Sequence, residues 1–260
     1  PKRSCHTALQ QIQRQFTGVA WFVEGDIHAC FDSFDHHVMI DLLRKRIEDE
    51  NFIALMWKMM RAGYMEQWVY HCTYSGTPQG SGVSPILANI YLSQMDDFAE
   101  ALKSSFDKGN CETNHAYGRA ASKLFYTRQR NRKNWQNWGK EERRNALKLQ
   151  KSAVAKLHEV PSMTACNQNY KRLFYCRYAD DFLIGVIGSQ EDALAIKEQF
   201  KEFLGKALHL EMSDEKTKIT RGTDKARFLG YDITTSKNSA LMYDKKHQLR
   251  KTHTGVIKLY

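Results

Sequence analysis

Two aspartates stand side by side at 180 and 181, inside RYADDFLIGV at 177–186. Apolar runs of strand length flank them, so the simplest geometry is a β-hairpin with both acids at its tip. Like charges this close raise each other's pKa unless a cation sits between them. A second group of acids lies in FVEGDIHACFD at 22–32, where an apolar strand ends at Asp26. If that strand lies beside the hairpin, Asp26 and Asp180 converge, and two or three carboxylates face one point. Such a cluster suits Mg²⁺, which takes oxygen ligands and shares its shell with substrate phosphates. Paired metals then activate an attacking oxygen and stabilise the leaving one in phosphoryl transfer. The bland alternative is a solvated Asp-rich turn.

A third element is GTPQGSGVSPILANIYL at 76–92. Its glycines allow close backbone approach, and Ser84 and Pro85 make a good helix start. A Gly-rich loop feeding a helix N-terminus favours anions. No Gly-Lys-Ser/Thr follows, so it is not a P-loop. Asp35 reads as a helix cap. Asp32 stays open between capping and metal approach. Asp96 and Asp97 fall mid-helix and read as surface acids without a catalytic role.

The elements that must position these residues follow from periodicity. Helices are expected over 5–16, 36–49, 51–62, 84–106 and 190–207. Strands are expected over 21–27, 66–73, 172–178 and 182–187, then near 208–212, 217–220, 226–233 and 240–243. Residues 120–157 are helix-compatible, with a break at Gly139. The pattern implies an α+β fold, an antiparallel sheet with helices on one face.

The net charge of +10 over 260 residues is unevenly spread. Residues 119–173 hold 14 Lys+Arg against 3 Asp+Glu, a net +11, and the rest of the chain nets −1. A local field of this kind is what a polyanion binder needs. A solvated helical surface is the alternative. No run of eighteen apolar residues exists, so no membrane span is expected. Six cysteines without zinc spacing read as reduced thiols, with Cys30 and Cys176 buried, and imply an intracellular protein. The absence of an initial Met marks the sequence as a fragment or processed product.

Taken in order, the Asp-bearing strand, the Pro-Gln-Gly loop and the Tyr-Ala-Asp-Asp hairpin resemble a reverse transcriptase. The resemblance is strongest to the group II intron-encoded reverse transcriptases, or maturases. It is carried by PKRSCHTAL at 1–9, VEGDIHACFDSFDH at 23–36, GTPQGSGVSPILANIYL at 76–92, RYADDF at 177–182, SDEKTKI at 213–219 and FLGYDI at 228–233. It implies a right-hand polymerase palm with partial fingers over 1–75. The palm proper would span 76–243, with a basic helical insertion at about 107–173, and 244–260 would lead toward a thumb. A first fingers segment and the thumb would lie outside these residues.

The same resemblance implies roles. Asp26, Asp180 and Asp181 would be the catalytic, Mg²⁺-binding acids, with Ile27 offering a backbone carbonyl to a metal. Phe31 would lie under the sugar and disfavour a 2′-hydroxyl. Gln79 and Gly80 would lie against the incoming nucleotide and template base. Lys216 would approach the nucleotide phosphates and donate a proton to pyrophosphate. FLGYDI would support the primer strand. Arg128, Arg130, Arg132 and Lys133, with Arg143 and Arg144, would bind RNA. The implied partners are intron RNA, an RNA template, a DNA primer and deoxynucleotide triphosphates. A homodimer is admissible, and the compartment is the bacterial cytoplasm or an organelle. Two readings compete: a splicing-only RNA-binding maturase, and a bacterial reverse transcriptase of defence or adaptation.

Overall fold

The computed structural model describes residues 4–71, 76, 82–110, 112–160, 169–213, 216–236, 241–243, 249–251 and 255–260. In chain order, α1 (Cys5–Gln15), β1 (Trp21–Gly25), α2 (His36–Arg44), α3 (Glu50–Arg61), β2 (Tyr64–Glu66) and β3 (Val69–His71) lead to α4 (Ser84–Phe106). Helices α5 (His115–Asn134) and α6 (Lys140–Glu159) precede β4 (Arg172–Tyr178), β5 (Asp181–Ile187) and α7 (Gln190–Ala207). The short strands β6 (Lys218–Arg221), β7 (Ala226–Phe228), β8 (Tyr231–Thr235), β9 (Leu241–Tyr243), β10 (Leu249–Lys251) and β11 (Ile257–Leu259) follow. The chain forms two compact units. One comprises Pro1–Asp107, Lys171–Lys237 and Thr254–Tyr260, and the other Lys108–Tyr170 and Asn238–His253. Among the described residues no helix is long and apolar enough to cross a membrane.

The first unit is built on a four-stranded antiparallel sheet in the order β4-β5-β1-β6. Side chains alternate across it. Phe182, Ile184 and Val186 of β5 join Val23 of β1 in one core with Leu87, Tyr91, Leu92 and Met95 of α4 and Ile196, Phe200 and Leu204 of α7. Each such burial contributes roughly 1.5–3 kcal/mol. This is the expected helical layer. The opposite face is covered as well. There Phe22 and Leu183 pack with Ala8, Leu9 and Ile12 of α1 and with Ala226, Phe228, Ile233 and Ile257 of the β11-β8-β7 sheet. Two buried faces explain why β5 reads as a continuous apolar run rather than an alternating one.

Several boundaries differ from the sequence expectation, each for a local reason. Helix α2 stops at Arg44 because Asp49 captures the Asn51 and Phe52 amides and starts α3. The strand expected over 66–73, read as one half of a hairpin, is β3 at Val69–His71, and its other half is the preceding β2. The turn residues Gln67 and Trp68 have φ of 48° and 67°. The strand expected over 226–233 folds back at Leu229 and Gly230, with φ of 51° and 81°. Positive φ at both central residues is the type I′ pattern, usually signalled by Asn-Gly. Neither turn carries that signal. The strand expected near 208–212 is reduced to a bridge between Met212 and Ile27.

The second unit holds the pair of basic helices α5 and α6, which share a thin core, and the two-stranded β10-β9 sheet. Leu124, Ala146 and Ala153 are buried. Buried Asn131 donates to the Ala146 carbonyl at 3.4 Å and to Gln150 Oε1 at 3.0 Å. Gly139 lies between the helices, and its amide donates to Glu142 Oε2 at 2.8 Å.

Candidate active site

Strand register sets the acids side by side. Gly25 of β1 pairs with Phe182 of β5, and Tyr178 of β4 pairs with Asp181. Asp26 and Asp181 therefore begin the next step of the ladder, on the face opposite Phe182. An added Cβ at Gly25 would overlap the Phe182 ring, so glycine lets the two strands close beneath the acids. Asp180 occupies the hairpin turn after Ala179, whose φ is 56°. On the far side of β1, Glu24 pairs with Lys218. Just before Lys218 the chain turns, with the Thr217 amide on the Ser213 carbonyl at 2.9 Å, and Lys216 reaches Asp26. Its Nζ lies 2.9 Å from Asp26 Oδ2.

The charges are strongly coupled. The Asp181 carboxyl is raised by burial first, then by the charges of Asp180 and Asp26, and Lys216 offsets part of this. The Lys216 ammonium is raised by its hydrogen bond and attraction to Asp26. Cys30, buried beneath, is pushed up to about 12 by burial and then by Asp180. Asp26 and Asp180 thus act on the same two groups. Among the described residues no three His, Cys, Asp or Glu side chains stand at metal-binding distance from one another. The donor chemistry nonetheless fits Mg²⁺: hard carboxylate oxygens whose mutual repulsion a divalent cation relieves. Ile27 is compatible with its expected role. Its bridge to Met212 uses the Asp26 carbonyl and the His28 amide, not the Ile27 carbonyl. Asp32 is exposed on the turn before α2.

Phe31 is half-buried, edge-on to Phe34 with ring centroids 6.1 Å apart. Phe34 is fully buried against Tyr91, which donates to the Leu208 carbonyl at 2.6 Å. Gly76 docks directly behind Phe31. Its amide donates to the Phe34 carbonyl at 2.7 Å, and its carbonyl lies 2.7 Å from Nε2 of buried His36. With φ of 78°, Gly76 leaves no room for a Cβ, which would overlap the backbone of Phe31 and Asp32. Gly76 is therefore anchored to the Phe31 segment. Gln79 and Gly80 lie outside the described residues. A cavity of about 210 Å³ lined by Ser33, Asp35, His36, His37, Trp57, Arg61 and His209 contains none of the three acids.

The family described as Reverse transcriptase (RNA-dependent DNA polymerase) matches residues 1–112 and 152–233, which include every residue placed above. The chain belongs to the reverse transcriptase family. It is 43% identical over 260 residues to group II intron-encoded protein LtrA of Lactococcus lactis subsp. cremoris, covering all of this chain and 42% of that protein. It is 41% identical over 246 residues to an uncharacterized 91 kDa protein in a cob intron of Schizosaccharomyces pombe, covering 92% and 28%. Among solved structures, apo telomerase from Candida tropicalis truncated from its C-terminal domain aligns with a TM-score of 0.49 at 12% identity, over 97% of this chain and 40% of that one. The chain thus spans less than half the length of these proteins. Its sheet and helical layer are the palm of a reverse transcriptase.

The family match leaves out 113–151, which holds α5 and the first half of α6. The basic candidates there divide into two groups. Arg128, Arg132, Lys133 and Arg144 are exposed. Arg130 lies over Trp138 at 5.7 Å, and Arg143 over Trp135 at 5.5 Å. Arg143 also donates to the Trp135 carbonyl at 2.9 Å, so it holds the inter-helix segment.

Two acids make contacts that sequence reasoning missed. Asp96 is partly exposed, and both its oxygens accept from the Arg177 guanidinium, at 2.8 and 2.6 Å. Glu24 is the second. It bonds Thr220 Oγ1 and the Arg227 amide, tying the palm sheet to β7. A polar residue within an apolar strand, needing a partner, is the sequence signal that points to Glu24.

Proposed function

We propose that the protein carrying this chain is the RNA-directed DNA polymerase of a mobile group II intron, which also binds its intron RNA as a splicing cofactor. The observation that carries this reading is the gathering of Asp181 at the start of β5, Asp26 just after β1 and Lys216 just before β6, with Asp180 in the adjoining turn. The substrates are an RNA template, a DNA primer and deoxynucleotide triphosphates. The primer 3′-hydroxyl loses its proton, its oxygen bonds the α-phosphorus, and the α–β phosphoanhydride breaks to release pyrophosphate.

Asp26, Asp180, Asp181 and the Ile27 carbonyl would hold Mg²⁺. When bound, the metal supplies charge stabilisation at the attacking and leaving oxygens. Lys216, held protonated by the acids around it, gives its Nζ proton to the leaving pyrophosphate. The Phe31 ring fills the space a 2′-hydroxyl would need. Gln79 and Gly80, shortly after Gly76 in the chain, lie against the nucleotide and template base. Residues 1–75 are partial fingers with the first palm strand, 76–243 the palm with its basic insertion, and 244–260 the link toward a thumb. The insertion contacts RNA phosphates, which give affinity without sequence information.

The test is primer extension by the full-length protein carrying Asp180→Ala. Mg²⁺-dependent extension should disappear while RNA affinity stays nearly unchanged. Persistent extension rejects the assignment, and a wild-type protein that binds intron RNA but extends no primer leaves a splicing factor only.

A further inference from the structure

The turn that carries Asp180 is gripped from behind, and we propose that Arg177 and Asp96 are the residues that position Asp180 and Asp181. Arg177 is the residue before Tyr-Ala-Asp-Asp, and its side chain is only 10% exposed. Its three nitrogens do three jobs. Nε donates to Asp96 Oδ1 at 2.8 Å, and Nη2 to Asp96 Oδ2 at 2.6 Å. Nη1 donates to the Ala179 carbonyl at 2.8 Å and reaches Asn89 Oδ1 at 3.5 Å. Tyr175, also on β4, donates to Asp96 Oδ1 at 2.9 Å.

The Ala179 bond is the informative one. Ala179 has a φ of 56°, a conformation that non-glycine residues rarely adopt and that needs outside support. Its carbonyl belongs to the peptide that leads into Asp180. Fixing that carbonyl fixes the plane from which the Asp180 side chain departs and the point at which Asp181 enters β5. The anchor for this grip is α4, whose Leu87, Tyr91, Leu92 and Met95 are all buried in the main core. Only a planar guanidinium can span a carboxylate and a backbone carbonyl in this way; an ammonium has one donor centre.

Stability alone is a poor account of the arrangement. An ion pair with one partner buried and the other 40% exposed is weak evidence for stability, because an apolar pair of similar size often does as well. An apolar pair could not hold the Ala179 carbonyl. This inference rests on the reading that Asp26, Asp180 and Asp181 carry out nucleotidyl transfer.

The test uses the full-length protein with Arg177→Lys, Asp96→Asn and the double variant Asp96→Asn/Arg177→Met, beside Asp180→Ala. The double variant leaves no charge buried alone and keeps an acceptor for Tyr175. Single-nucleotide extension gives kcat and KM, electron paramagnetic resonance gives Mn²⁺ binding to the enzyme–primer–template complex, and thermal unfolding gives Tm. Both single variants and the double variant should lose kcat on the order of 100-fold, the effect of an ångström-scale misplacement. Nucleotide KM and primer–template affinity should hold, Mn²⁺ should bind more weakly, and the double variant should melt with the wild type. A double variant with wild-type kcat and Mn²⁺ binding overturns the proposal and makes the pair structural only. Asp180→Ala inactive with Asp96→Asn at full kcat overturns this assignment alone. Extension by Asp180→Ala overturns the underlying reading as well.

Discussion

At Gly76 a single missing Cβ lets two backbone segments approach closely. Gly76 holds its place through the Phe34 carbonyl and His36, both 2.7 Å away, and a Cβ added there would overlap the backbone of Phe31 and Asp32. If, as proposed, the Phe31 ring fills the 2′ side, Phe31→Ala should raise ribonucleotide incorporation relative to deoxyribonucleotide in a competition assay. An unchanged ratio would assign Phe31 to the core with Phe34. Gly76→Ala meets backbone atoms rather than a mobile side-chain end, and its φ of 78° is strained for any L side chain. It should cost about 1–3 kcal/mol in denaturant unfolding. It should also loosen the same nucleotide ratio, since relief of the overlap must move the Phe31 segment. Destabilisation with full selectivity would separate the loop anchor from the sugar pocket.

At the scale of elements, caps and turns decide where helices and strands end. Asp35 starts α2 by accepting from the His37 amide at 2.7 Å and the Val38 amide at 3.3 Å, and it pairs with His209 Nδ1 at 2.9 Å. Burial alone would raise its carboxyl, but the hydrogen bonds from His209, Val38 and His37 outweigh it and hold the pKa below the usual 3.8. A lowered folded pKa means that Asp35 stabilises the protein above that usual value. The contribution fades as pH falls through the lowered value. Asp35→Ala should cost about 1 kcal/mol at neutral pH in urea titrations. The difference from wild type should shrink as pH falls below the usual 3.8 and through the lowered value. A gap that is constant with pH would show that the cap acts through shape, not charge. This cap is legible in the sequence because its partners are two and three residues away. The same locality makes α4, α7 and the β4–β5 hairpin readable, since apolar period and turn chemistry lie within one window. The Arg177–Asp96 grip is not legible, because its partners are 81 residues apart and each alone looks like a surface charge. The bond from Glu24 to the Arg227 amide spans 203 residues and is hidden for the same reason. The two type I′-like turns escape a sequence reading because Trp68 and Leu229 occupy positions normally held by glycine or asparagine.

For the molecule as a whole, charge is partitioned by unit. The +11 excess of residues 119–173 falls mainly on the basic helices of the second unit, while the rest of the chain nets −1. With a net of −1 outside the basic block, the rest of the chain has no surplus positive field of its own for a polyanion. The α5–α6 pair has a thin core, so its exposed cations can be changed without emptying a large hydrophobic interior. Arg130 and Arg143 are poor targets for such a change, since both lie over tryptophans and Arg143 also holds the Trp135 carbonyl. Arg128, Arg132, Lys133 and Arg144 are exposed and make none of these ring contacts. Replacing these four with glutamine should leave Tm nearly unchanged and weaken RNA binding. Every phosphate that is no longer neutralised should flatten the slope of log K against log salt by about 0.7–0.9. Sequence preference should change little, because backbone contacts position rather than specify. Extension on a preformed primer–template should fall less than intron RNA affinity if the unit serves the RNA more than the growing duplex. A fourfold variant with wild-type affinity and an unchanged salt slope would mean that these side chains only solvate the helices, and the phosphate-binding role would then have to be abandoned.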